Sequence, residues 1–142
     1  MPLEQQIKGL TKPSELYEHL PDGKIRCLAC DHRCTLHEGR SGVCGLRYIQ
    51  QGALMVPSGY VAGAQVDPIE KKPFSHFLPG SQVLTFGMLG CNFRCEFCQN
   101  WETSQALRDK AINIDWLAVR EVSAERLVTM AVNGGAASVA SS

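Results

Sequence analysis

At 142 residues the chain has the size of one ordinary domain, and 44% hydrophobic residues are enough to bury a core. Fourteen basic residues balance fourteen acidic ones, so bulk binding to nucleic acid or to an anionic membrane has no electrostatic basis. The stretch Met1–Ile7 has no basic region leading into an apolar one, and no run approaches the roughly 18 apolar residues of a spanning helix; no secretory signal, no membrane and no nucleic-acid partner are expected, and a cytoplasmic location is.

In chain order, the first expected element is a short helix around Pro13–Leu20, stopped by Pro21-Asp22-Gly23, so that 1–23 forms an amino-terminal helical lead. A cysteine-rich metal-binding module is expected over 24–60. Its centre is Cys27-Leu28-Ala29-Cys30-Asp31-His32-Arg33-Cys34, completed by Cys44 at C-x2-C-x3-C-x9-C spacing. The chain has seven cysteines in two tight groups of four and three, which argues against a disulfide framework and for thiolate ligands in a reducing compartment. Four thiolates suit tetrahedral zinc, with Gly39, Gly42 and Gly45 supplying the turns that return Cys44 to the others. A second iron–sulfur cluster would accept the same four ligands, and His32 or His37 could replace a cysteine, although both histidines read more simply as loop residues. The stretch is poor in apolar periodicity and is expected to need a metal staple. Arg33, Arg40 and Arg47 have glycine-rich sequence between them and read as a solvated face.

Leu46–Ile49, the turn Gln50–Ala53 and Leu54–Val56 predict a small β-hairpin, followed by proline-punctuated loop over most of 57–82. Within that loop Lys71 and Lys72 could hold an anion and His76 could relay protons. The plainer reading is a structural loop with Phe74, Phe77 and Leu78 as buried anchors and the charges of Asp67, Glu70 and the lysines in water.

Val83–Phe86 predicts a strand, which feeds Gly87-Met88-Leu89-Gly90 and then Cys91-Asn92-Phe93-Arg94-Cys95-Glu96-Phe97-Cys98. C-x3-C-x2-C spacing puts three sulfurs around one tight loop, enough for three corners of an iron–sulfur cube with one iron left without a protein ligand. Buried free cysteines or part of a zinc knuckle are the alternatives, although a closed zinc site needs four ligands. Farther on, Ile112, Ile114, Trp116 and Val119 carry no caps, whereas Ser123 as N-cap, an apolar stripe of Leu127, Met130 and Ala131, and the stop Asn133-Gly134-Gly135 signpost a helix. Ala136–Ala140 then begins a parallel strand and completes a β-α-β unit. The fold class is α/β.

The cysteine loop resembles the signature of the radical SAM superfamily, C-x3-C-x-aromatic-C, at Cys91, Cys95, Phe97 and Cys98. With Asp67–Ser81, Gly90-Cys91-Asn92, Cys98–Glu102 and the amino-terminal cysteines, residues 24–142 are similar to the radical SAM protein of the AmmeMemoRadiSam system, itself similar to pyruvate formate-lyase activating enzymes. The resemblance implies a 4Fe-4S cluster on Cys91, Cys95 and Cys98 that binds S-adenosylmethionine at its open iron, with Phe97 against the adenine. It implies reductive cleavage of that cofactor and hydrogen abstraction from a substrate, which could be a protein or peptide, with electrons from a flavodoxin- or ferredoxin-like donor. It also implies that 61–142 is the beginning of a partial (β/α) TIM-like barrel, preceded by the small cysteine-rich β module, and that the chain is an amino-terminal fragment. The family's second strand carries a glutamate for the cofactor's amino group, and Ser138-Val139-Ala140 resembles the lead into it. The reading from a different class is a non-catalytic interaction or electron-transfer module with both metal sites closed.

Overall fold

A computed structural model describes residues 3–109, 111–112 and 117–141. Two compact units each draw on two stretches of chain: Met1–Ser58 with Leu89–Leu117, and Gly59–Met88 with Ala118–Ser142. In the second unit strands from both stretches pair, β-strand residues 60–61 with 120–121 and 83–86 with 138–141. All seven cysteines fall in the first unit.

In that unit, helix α1 (Leu3–Gly9) buries Leu3 and Ile7, four residues apart on one face. Strand β1 (Thr11–Pro13) pairs antiparallel with β6 (Ala53–Pro57), which pairs in turn with β5 (Tyr48–Gln50). The expected hairpin is present. Its two-residue connection, Gln51 at φ 52° and Gly52 at φ 74°, has the two left-handed positions of a type I′ turn, whose twist matches that of the strands.

The helix expected over Pro13–Leu20 is absent. There the chain forms β2 (Tyr17–His19), which pairs with β3 (Ile25–Cys27) across the Pro21-Asp22-Gly23 turn, and β3 pairs with β4 (Thr35–Leu36). The turn residues taken as a helix stop instead reverse a hairpin, with Gly23 at φ 78° and the Leu20 amide donating to Lys24 O at 2.8 Å. Pairing with β3 outweighs a helical propensity that is weak over so short a run.

Ile25, Cys27, Leu36, Ile49 and Leu54 form one buried cluster, with Tyr17, Ala29 and Cys34 packed against it. The stretch expected to depend on a staple therefore has an apolar anchor, each fully buried aliphatic side chain contributing about 1.5–3 kcal/mol. Helix α2 (Trp101–Gln105) belongs to the same unit and buries Ser104 and Gln105.

In the second unit, β8 (Gly63–Pro68) runs antiparallel to β9 (Gln82–Gly87) through six residue pairs, from Gly63 opposite Gly87 to Pro68 opposite Gln82. The loop expected over most of 57–82 thus contains a strand, which Gly63 and Pro68 hide from propensity and which β9 stabilises by pairing. Strand β7 (Tyr60–Val61) pairs with β10 (Arg120–Glu121). Helix α3 (Ala124–Asn133) lies where expected: the Ser123 hydroxyl accepts the Arg126 amide at 3.2 Å, Ala131 is buried, and Gly135 takes φ 67° past the end. Strand β11 (Ser138–Ser141) then pairs parallel with β9, giving the order β11-β9-β8. Val83, Leu84 and Thr85 are all buried, as the central strand of a covered sheet requires. Ile114 and Trp116 lie outside the described residues.

The Ile69–Ser81 loop is closed by the Ile69 amide on Ser81 O at 3.0 Å and the Gly80 amide on Glu70 Oε1 at 2.8 Å. Phe74, Phe77 and Leu78 are about half exposed rather than buried anchors, and the two rings meet edge to face at 6.0 Å. Among the described residues no helix is long and apolar enough to cross a membrane.

Candidate metal centre

The loop after β9 turns at Gly90, where φ is 80° and the amide donates to Thr103 O at 3.0 Å. A side chain there has no room: a Cβ would stand 2.5 Å from Leu46 Cδ1 and 3.0 Å from Cys44 O. The second cysteine group's lead-in is thus packed directly on the loop that ends the first group.

Cys91, Cys95 and Cys98 follow within eight residues, all free thiols and all partly buried. The Phe93 amide points at Cys91 Sγ at 3.4 Å, the Cys98 amide donates to Cys95 O at 3.2 Å, and Cys98 Sγ lies 3.6 Å from Ser104 Oγ. Phe97 is 88% exposed and Phe93 is 62% exposed. Arg94, between Cys91 and Cys95, lies over the Trp101 ring at 5.5 Å and faces Asp109 at 3.7 Å. Arg94, Glu96 and Trp101 line a hollow of about 370 Å3.

The backbone of this loop is held by side chains to which the sequence assigns no such role. Arg108 Nη1 donates to Cys91 O at 3.2 Å and Phe93 O at 3.1 Å; Gln105 Nε2, on a side chain only 2% exposed, donates to Phe93 O at 3.0 Å. His32 Nε2 lies 2.8 Å from Asn92 O, across sixty residues of sequence. No periodicity or spacing signals such contacts, because each donor is an ordinary polar residue until tertiary structure places it.

In the first group, Cys27 is buried in the apolar cluster and its amide donates to Cys34 O at 2.9 Å. Cys30 heads a turn closed by the Arg33 amide on Cys30 O at 3.1 Å, with Arg33 at φ 46°. Cys34 Sγ stands 3.5 Å from where a Cβ on Gly42 would be, so the Gly42–Gly45 turn brings the segment carrying Cys44 close to Cys34. His37 contacts only the neighbouring Glu38 O, at 3.2 Å among its described hydrogen bonds.

Among the described residues, no three or more His, Cys, Asp or Glu side chains converge into a group that could hold a metal ion. The donor chemistry of the Cys91–Cys98 loop nevertheless fits an iron–sulfur group: three unpaired thiols on one short loop, one of them already facing a backbone amide, the kind of hydrogen bond that tunes cluster sulfur. The candidates of the long loop belong to the second unit. Lys71 Nζ is paired with Asp67 at 2.7 Å, while His76 is exposed.

Against curated proteins, the chain is 42% identical over 117 residues to the uncharacterized protein MJ0808 of Methanocaldococcus jannaschii, in a match covering 82% of the chain and 33% of that relative. It is 31% identical over 86 residues to a second uncharacterized protein of that organism, MJ0674, covering 61% of the chain and 21% of the relative. The chain spans about a third and about a fifth of the lengths of these two relatives. No family model matches the chain, and no solved structure matches it significantly.

Proposed function

We propose that this chain carries the cluster-binding part of a radical SAM enzyme of the cytoplasm, where free thiols persist. The observation that supports it most is the loop Gly90–Cys98: three free cysteines at C-x3-C-x2-C spacing, entered directly from a central strand that pairs in parallel with the next strand of its unit. A 4Fe-4S cluster held here by Cys91, Cys95 and Cys98 would supply the electron for reductive cleavage of S-adenosylmethionine, and with it the means of hydrogen abstraction.

Cys91, Cys95 and Cys98 hold the cluster in this reading, and metal–thiolate bonding provides the free energy that gathers side chains not yet convergent. The Phe93 amide, at 3.4 Å from Cys91 Sγ, stabilises negative charge on that sulfur. Phe97, exposed at the loop, is the apolar surface offered to the cofactor's adenine. The Arg94 guanidinium, held over Trp101 and facing Asp109, is charge-compensated and braces the loop, and the electron donor in this reading is of the flavodoxin or ferredoxin type. The substrate, a protein or peptide in this reading, and the remaining cofactor contacts belong to the fuller barrel that the resemblance implies. Cys27, Cys30, Cys34 and Cys44 would hold a second, structural zinc or a further cluster in this reading, once metal binding draws them together.

Electron paramagnetic resonance of the anaerobically reconstituted, reduced chain tests this. A cubane signal that S-adenosylmethionine shifts, and that Cys95→Ala abolishes, is expected. A signal indifferent to the cofactor would mean that contacts of the fuller barrel are needed for binding or that the cluster only carries electrons, and zinc with no cluster at all would exclude the enzyme reading.

A further inference from the structure

Three successive carbonyls at the head of the cysteine loop are each held by a side-chain donor: Cys91 O by Arg108, Asn92 O by His32, and Phe93 O by both Arg108 and Gln105. Gln105 and Arg108 lie in α2 and the turn just after it, close to the loop in sequence. His32 does not. It sits between Cys30 and Cys34, in the turn that carries two ligands of the first cysteine group.

A carbonyl oxygen only accepts, so the 2.8 Å contact requires the imidazole to carry its proton on Nε2. A few residues away the two groups meet again, where Gly90 lies so close to Cys44 O and Leu46 that no side chain fits. The contacts bracket the first half of the second loop on one side and involve segments flanked by Cys30, Cys34 and Cys44 on the other. Between the held carbonyls the Phe93 amide faces Cys91 Sγ at 3.4 Å.

We infer that His32 is a positioning residue for the Cys91–Cys98 loop, and that through it the amino-terminal cysteine turn sets the conformation from which the second cysteine group binds its metal. The inference rests on the proposed cluster for its purpose, but the latch is a property of the polypeptide and is measurable without iron. His32 touches neither cluster nor cofactor; it acts through Asn92.

Peptide-resolved hydrogen–deuterium exchange on the full chain tests it, first with chelator and then after anaerobic reconstitution with iron and sulfide. In the metal-free chain, His32→Ala should speed exchange of the 92–98 amides about three- to tenfold, the loss expected for one hydrogen bond, and leave the β9 amides unchanged. His32→Gln, whose side-chain amide can still donate, should restore most of the protection. Arg108→Met, which frees Cys91 O and Phe93 O from a separate direction, should loosen the same peptide and shows that its exchange reports on these carbonyl contacts; His32→Phe, which keeps a ring but no donor, serves if His32→Ala does not fold. After reconstitution, His32→Ala should lose its iron to a chelator several-fold faster than the parent. Unchanged 92–98 exchange in His32→Ala, or a Gln variant as loose as the Ala variant, would overturn the latch. Failure of the parent chain to assemble any cluster would instead overturn the enzyme reading and leave the exchange result standing.

Discussion

Gly90 shows how one residue joins two distant pieces of sequence. Its φ of 80° disfavours any L side chain, and a Cβ would stand 2.5 Å and 2.7 Å from Leu46 side-chain atoms. Gly90→Ala should therefore cost about 2–4 kcal/mol in denaturant unfolding, backbone strain and overpacking together. Asp67 carries a pH dependence. The Lys71 ammonium, and after it the Gln65 amide, hold its carboxyl below the usual carboxylate range, against an opposing contribution from burial. A folded-state pKa below the unfolded one means that Asp67 stabilises fully above the unfolded value of roughly 3.9 and less as pH falls through the folded value. Stability measured from pH 6 downward should fall less steeply in Asp67→Asn than in the parent. Of the charged residues in the Asp67–Ser81 stretch, sequence distinguished none by partner; the ion pair depends on β8 leading into the 3-10 turn Ile69–Lys71, which brings Lys71 back to Asp67.

Elements with strong local signals appear where the sequence puts them. Helix α3 has a cap at Ser123, an apolar stripe and a glycine stop, all set within ten residues or so, and the hairpin at Gln51-Gly52 has its turn chemistry in two residues. Ser123→Ala should cost about 1 kcal/mol and raise amide exchange in the first turn of α3, since the Arg126 amide loses its acceptor. Elements with weak local signals went the other way. Tyr17–His19 and Gly63–Pro68 are strands only because β3 and β9 supply partners, and a partner's position is not a local property. The exposed Phe74 and Phe77 are a similar case: their apolar character suggested anchoring, yet burial depends on what the fold brings against them.

For the whole molecule, each of two compact units takes two stretches of chain, and the buried cluster of the first comes from residues 25 to 54 of a single stretch, gathered by two small sheets. Leu54 is wholly buried at the meeting of β6 with that cluster. Leu54→Ala should destabilise the chain by about 2–5 kcal/mol in urea unfolding, the cost of lost transfer energy and the cavity left behind. The edge strand β11, with Val139 44% exposed, leaves a parallel strand edge open among the described residues.

The sequence by itself determined the set and spacing of the cysteines. Cysteine spacing is covalent, so C-x3-C-x2-C and the four-cysteine group are legible without any fold, as are caps and turns whose interactions span a few residues. Tertiary structure alone decided that Cys27 is a core residue, that β8 and β2 are strands, and that His32, Gln105 and Arg108 converge on three consecutive carbonyls of the cysteine loop. Those outcomes arise from contacts between segments as much as sixty residues apart, where the free energy lies in pairing and packing that no local pattern encodes.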